Sequence, residues 1–360
     1  MTRLRRVDCA APGIVRIRRG RGFTYRAPDG SKVTDPVVLT RIAELVIPPA
    51  WEDVWICPHP RGHIQAVGTD AAGRRQYRYH DDWRVQRDAE KHERVLEFAR
   101  RLPRARQQVA ADLAGRRLTK RRVLAAAFRL LDLGFFRVGG EEYAEENGSY
   151  GLATMRRRHV TVSGDLVVFD YPAKSGRARL QAIVDEDVRK VVQSLLRRDD
   201  PGRELLAYRD RRGWHDVTSA DINTYLRDVM GDQVSAKDFR TWHATVLTAV
   251  GLAVSTRAPT SESARRRAVR RVVSEVADYL GNTPAVCRSS YIDPRVIDLY
   301  DDGTTISASL ERLGADADLG QPATHGDVEA AVLRLLRRPA SAAARRRTAV
   351  AQQPKPAKAA

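Results

Sequence analysis

No run of 18 apolar residues occurs in the 360-residue chain, which excludes a membrane-spanning helix. The opening residues, MTRLRRVDCAAPG, carry charge with no apolar stretch behind it, so no signal peptide is expected. Cysteine is scarce. Cys9, Cys57 and Cys287 are odd in number and far apart, which excludes a disulfide framework and metal-ligand spacing and points to a reducing cytoplasm. The chain also lacks a Gly-rich phosphate loop, a His-x-Glu zinc motif and an Asp/Glu cluster suited to magnesium. These absences argue against ATP-driven and two-metal chemistry, so neither a cofactor nor a metal is expected. There is no internal repeat.

Acidic charge is the other deficit. Lys and Arg number 63 against 45 Asp and Glu, a formal charge of +18. From Arg334 onward there are eight basic residues and no acidic one, so the rest of the chain keeps a surplus of ten. Such a body attracts a polyanion, and nucleic acid is the first candidate partner.

The pattern along the chain predicts an α+β protein. Residues 1–84 read as a β-rich N-terminal domain. "RGFTYRAPDGSKV" suggests two strands around a Pro-Asp-Gly turn, and "VWICPHPRGHIQAVGTDAAGRRQYRYH" suggests further short strands between Gly-containing turns. Residues 85–338 read as a mainly helical second domain. Its helices are "WRVQRDAEKHERVLEFARRL", then "TKRRVLAAAFRLLDLGFF" with Thr119 as cap and Gly134 as stop, then "AIVDEDVRKVVQSLLRR" and "ATHGDVEAAVLRLLRR". A small antiparallel sheet is embedded in it: "RHVTVSGDLVVFDYPAKSGRARL" gives strand, Ser-Gly-Asp turn, strand, "AKSG" turn and strand. Residues 339–360 read as a basic, disordered tail.

The candidate chemistry is a set of cations near turns and helix ends, plus one tyrosine. Arg137 follows a helix end, Lys174 sits at a turn tip, and Tyr291 ends the run "LGNTPAVCRSSYIDP". Each taken alone has an ordinary reading: two solvated cations and a packed aromatic. Arg240, in "KDFRTWHATVL", is placed in the first turn of a helix capped by Asp238. A cation there opposes the helix dipole unless an anion binds. Together the four suit transesterification at a phosphodiester. A tyrosine needs cations to stabilise its phenolate, the phosphorane needs arginine forks on its oxygens, and the departing oxygen needs a proton, which a lysine can deliver.

At these residues the chain resembles the type IB DNA topoisomerases, specifically the small bacterial enzymes similar to the poxvirus enzyme. The resemblance covers about residues 14 to 337. It is carried, in order, by "IPPAWEDVWICPHPRGHIQAVGTDAAGRRQYRYH", "FRVGGEEYAEENGSYGL", "KDFRTWHA" and "LGNTPAVCRSSYIDP". It implies a β-rich cap and a tyrosine recombinase/topoisomerase IB-like catalytic domain that clamp double-stranded DNA. It further implies an enzyme associated with the nucleoid, working without ATP or a required metal, and nothing in the sequence requires an oligomer, so a monomer is expected. By the resemblance Tyr291 is the nucleophile, Arg137 and Arg240 contact the scissile phosphate, and Lys174 is the general acid. Lys237 is implied as a second lysine in leaving-group protonation, Gln76, Tyr77 and Tyr79 as DNA-facing, and Tyr143 as a phosphate contact. Asn282 departs from the pattern, since the poxvirus enzyme has histidine there. An amide donates a neutral hydrogen bond but cannot become a cation. Two alternatives stay open: a tyrosine recombinase, although those usually show His-x-x-Arg where this chain has Lys237 to Arg240, and a non-catalytic DNA-coating protein.

Overall fold

The computed structural model describes residues 3–255, 261–315 and 325–338; the tail 339–360 lies outside the described residues. The chain divides into two compact units, Met1–Glu93 and Arg94–Ala360. Among the described residues no helix is long and apolar enough to cross a membrane.

The first unit holds strands β1 (Ile14–Arg19) and β2 (Gly22–Arg26), helix α1 (Pro36–Glu44), and strands β3 (Glu52–Ile56), β4 (Ile64–Thr69) and β5 (Arg75–Tyr79). They form one antiparallel sheet in the order β2-β1-β3-β4-β5. The Pro28-Asp29-Gly30 turn does not join two strands. A single bridge between Arg26 and Lys32 spans it, and the chain then enters α1. The sequence sign of α1 is Asp35-Pro36: the Asp35 carboxylate accepts from the Val37 N–H at 2.8 Å, and proline fits the first helical position because its missing N–H would have no partner there. Ile14, Ile42, Val54, Ile56 and Ala66 form this unit's core. A Cβ at Gly68 would fall 2.9 Å from the Trp51 ring, so β4 packs there only as glycine.

Helix α2 (Asp81–Leu113) starts in the first unit and runs into the second. Its apolar pattern predicts an end at residue 102, yet the helix continues through Pro103. A proline inside a helix costs about 3 kcal/mol. Leu102, Ala105, Val109 and Leu113 are all buried around it, and each buried Leu or Val returns ~1.5–3 kcal/mol. Burial wins. Helix α3 (Lys120–Gly134) starts where Thr119 Oγ1 accepts from the Arg122 N–H at 3.3 Å. Gly134 is its last residue rather than its stop. A Cβ there would fall 2.3 Å from the Phe136 ring, so close approach requires glycine. The left-handed turn passes to Phe135, at φ 54°, a conformation a non-glycine residue holds only when its surroundings impose it.

After α4 (Glu141–Asn147), β6 (Val160–Ser163), β7 (Leu166–Pro172) and β8 (Ala178–Val184) form a three-stranded antiparallel sheet in chain order, with Lys174 at the β7–β8 tip. Helix α5 (Glu186–Leu196) buries Val188, Val191, Val192 and Leu195, the stripe its period predicts. A hairpin, β9 (Ala207–Asp210) and β10 (Gly213–Asp216), precedes α6 (Ser219–Met230). Then come α7 (Ala236–Ser255), α8 (Glu262–Leu280), α9 (Pro284–Ser290), α10 (Pro294–Asp301), α11 (Ser307–Ala315) and α12 (Asp327–Leu336). Helix α7 is buried along most of its length, and Phe239 meets Phe98 and Phe128 edge-on at 4.8 and 5.0 Å.

One buried ion network fixes α7 to its neighbours. Arg106 on α2 donates to both oxygens of Asp132 on α3, at 2.8 and 2.9 Å, and to both oxygens of Glu329 on α12, at 2.5 and 3.0 Å. Glu329 also accepts from the Trp242 indole of α7 at 2.8 Å. Burial works against the Asp132 charge, but Arg106 and His243 hold its carboxyl well below the usual carboxylate range. Removing one partner strands a buried charge. Arg106→Ala is therefore expected to destabilise the fold by ~3–5 kcal/mol, read from the denaturant midpoint at unchanged slope. An unchanged midpoint would show that Asp132 and Glu329 are satisfied without the guanidinium.

Candidate active site

Tyr291 sits in a short link between two proline-started helices. Thr283 Oγ1 accepts from the Val286 N–H at the start of α9, and the Asp293 carboxylate accepts from the Arg295 N–H at the start of α10. The sequence Thr-Pro followed ten residues later by a second capped proline thus fixes about two turns of helix, a stop and a new start. The Tyr291 N–H closes α9 on the Cys287 carbonyl at 3.0 Å. Thr245 of α7 braces the link: its hydroxyl gives its one proton to the Thr241 carbonyl at 2.8 Å within α7 and accepts from the Asp293 N–H at 3.1 Å.

Cations converge on the half-buried phenol. The Arg240 guanidinium lies 5.1 Å from the Tyr291 ring centre and the Lys237 ammonium 6.0 Å. Both come from α7, three residues apart, so they share a helix face. Burial alone would raise the phenol's pKa. Arg240, by charge and a hydrogen bond, together with Arg137 and Lys237, outweighs it and leaves Tyr291 more acidic than an ordinary tyrosine. Cys287, one turn earlier, is fully buried, and burial pushes its thiol up to about 11, so it does not compete as a nucleophile.

Arg240 is 3% exposed and doubles as a tie between helix ends. It donates to the carbonyl of Phe135 at the end of α3 and, at 2.7 Å, to that of Leu280 at the end of α8. Burial and the nearby Arg137 lower its pKa to about 10, still high enough to keep it charged at neutral pH. It is the fifth residue of α7, not part of a turn capped by Asp238: Asp238 instead accepts from the Ser235 N–H and hydroxyl at 2.8 and 3.0 Å. Arg137 donates to Asn282 Oδ1 at 2.7 Å. That bond orients the amide, and Asn282 Nδ2 is left as a buried donor with no partner among the described residues. An anionic oxygen would satisfy it.

Lys174 is exposed at its hairpin tip and lines a cleft of about 240 Å³ with Arg177, Arg179, Asp278, Gly281 and Asn282. The structure therefore gathers Arg240, Lys237 and Arg137 about the Tyr291 phenol, with Asn282 bonded to Arg137 and Lys174 on the adjoining cleft. A residue-by-residue reading does not single out Arg179, Thr245 or Phe135. Their parts depend on which carbonyls and hydroxyls lie opposite them, and no local pattern records that.

The remaining candidates are placed differently. Tyr77 and Tyr79, 43% and 37% exposed, stack at 6.0 Å on one face of edge strand β5, with the Arg75 guanidinium 5.8 Å from the Tyr77 ring. Gln76 points to the other face and donates to Asp70 at 2.9 Å, so the pleat separates it from the two tyrosines. Tyr143 falls on α4, and its side chain lies outside the described residues. Among the described residues one group has metal-ligand spacing: Asp132, His243 and His325, with ligand atoms within 4.8 Å of one another. Arg106 already forks onto both oxygens of Asp132, putting a cation where a metal's charge would act, so the group belongs to the ion network.

Residues 80–313 match the family described as eukaryotic DNA topoisomerase I, catalytic core, and residues 22–70 match the bacterial DNA topoisomerase IB N-terminal domain. The chain is 30% identical over 295 residues to DNA topoisomerase 1B of Acanthamoeba polyphaga mimivirus, covering 80% of this chain and 87% of that protein. It is 20% identical over 237 residues to DNA topoisomerase 1B of vaccinia virus, covering 66% and 72%. Against the human mitochondrial DNA topoisomerase I it is 29% identical over 210 residues, covering 54% of this chain and 33% of the human one.

Proposed function

Because the chain belongs to the type IB DNA topoisomerases, and so is an enzyme acting on DNA, we propose that it cuts one strand through a 3′-phosphotyrosyl ester on Tyr291 and reseals it after strand rotation. The observation that supports this is the phenol of lowered pKa set among Arg240, Arg137 and Lys237. In this reading the Tyr291 oxygen attacks phosphorus and the bond to the 5′ oxygen breaks. The phenolic proton leaves to solvent and Lys174, assisted by Lys237, supplies one to the 5′ oxygen. Arg137 and Arg240 take the charge that grows on the non-bridging oxygens, and the Asn282 amide donates to one of them. The ester conserves the energy of the broken bond, so resealing needs no nucleotide. The enzyme acts as a monomer on nucleoid DNA in the cytoplasm.

Because the charge is met by side chains, relaxation of a supercoiled plasmid is expected to proceed in EDTA without ATP. Magnesium can still speed turnover by competing for phosphates and releasing product. A strict magnesium requirement for cleaving an oligonucleotide duplex in a single turnover would falsify this reading.

A further inference from the structure

We propose that Arg179 is a positioning residue for strand cleavage, anchoring the Lys174 hairpin to the end of α8 so that the lysine's ammonium meets the departing oxygen. The proposal rests on reading Lys174 as the proton donor.

Lys174 stands exposed at the tip of a two-stranded arm, so its reach is set by whatever holds the arm at its base. Two side chains of β8 do this. Arg179, cross-strand from Tyr171, donates from Nη2 to the Tyr279 carbonyl at 2.6 Å and from Nε to Gln181 Oε1 at 3.2 Å. Gln181, on the same face of the strand, donates in turn to the Gly134 carbonyl. Tyr279 and Gly134 each lie three residues ahead of a site residue, Asn282 and Arg137. The hairpin is thus bonded to the two helix ends that deliver the amide and the arginine.

Arg240 bonds the next carbonyl of each end, Leu280 and Phe135. Four consecutive-pair carbonyls, which helix termini leave without intrahelical partners, are thereby shared between the α7 cation and the hairpin. Gly281 completes the seat. It is left-handed at φ 62°, and a Cβ there would fall 3.0 Å from Arg179 Nη1, so the guanidinium lies against bare backbone. Only a fork can reach Tyr279 and Gln181 at once; a lysine ammonium is a point donor on a flexible stem.

The test is single-turnover cleavage of two duplex oligonucleotides that differ in the leaving atom, an ordinary 5′ oxygen or a 5′ bridging sulfur. A thiolate departs without a proton, so a displaced acid matters only for oxygen. Arg179→Ala is expected to slow the oxygen substrate ~10–100-fold, as a misplaced catalytic group does, and the sulfur substrate by less than ~3-fold. Arg179→Lys, which keeps the charge and lessens any risk to folding, is expected to show the same preference. Lys174→Ala is run beside them. If it prefers sulfur and the Arg179 variants, folded by melting temperature, slow both substrates equally or neither, the Arg179 assignment is overturned alone. If Lys174→Ala itself slows both equally, the proton-donor reading falls and the Arg179 proposal with it.

Discussion

Tyr291→Phe is expected to abolish plasmid relaxation and the SDS-stable protein–DNA adduct while leaving the fold intact. The substitution removes one oxygen from a half-buried ring. The surrounding bonds that shape the link, from Thr245, Thr283, Cys287 and Asp293, all involve backbone or other side chains and survive it. Loss of the Arg240 contact to the phenol should not loosen that guanidinium, because two carbonyls still hold it. Duplex affinity is carried mainly by phosphate contacts to cations and should change little. An adduct formed by the Phe variant, or a peptide map placing DNA on another residue, would remove Tyr291 from the nucleophile's role.

Lys174→Ala is expected to reduce cleavage of ordinary DNA by ~10²–10⁴-fold, the usual contribution of a positioned general acid. Folding should be untouched, since the side chain is exposed on a hairpin whose bonds are made by Arg179 and Gln181. Binding should weaken only slightly. A loss confined to affinity, with the cleavage rate of the bound complex unchanged, would make Lys174 a phosphate contact and move the acid's part to Lys237, which faces the phenol directly.

Much of this was legible in the sequence where local chemistry decides the outcome. The β6–β7–β8 sheet follows its turn residues, α5 its apolar stripe, and α3 its threonine cap. Elements failed to show where tertiary burial overrides a local rule: Pro103 stays inside α2 because the residues around it are buried, and Gly134 serves close approach rather than termination. Helix α1 had a readable sign in Asp35-Pro36 but stood behind a stronger turn pattern. At the site, residue types pointed to phosphodiester chemistry, and the family likeness supplied their order. Which groups touch could not be read. Arg137 and Asn282 are 145 positions apart, and Asp132 meets Glu329 only through an arginine from a third helix. The separation of Gln76 from Tyr77 and Tyr79 was readable from strand alternation alone.

The brace on Tyr291 has a mechanical side. A strand esterified to that residue and turning under torque would pull on the protein backbone at one point, the link between α9 and α10. That point is not a loose loop: the Tyr291 N–H is held by the Cys287 carbonyl and the Asp293 N–H by the Thr245 hydroxyl, and α7 beneath Thr245 is buried along most of its length. Tension on the strand would therefore be passed within a few bonds to a helix buried along most of its length. The free 5′ end would swing about the intact strand and return to an esterified end that had stayed in place.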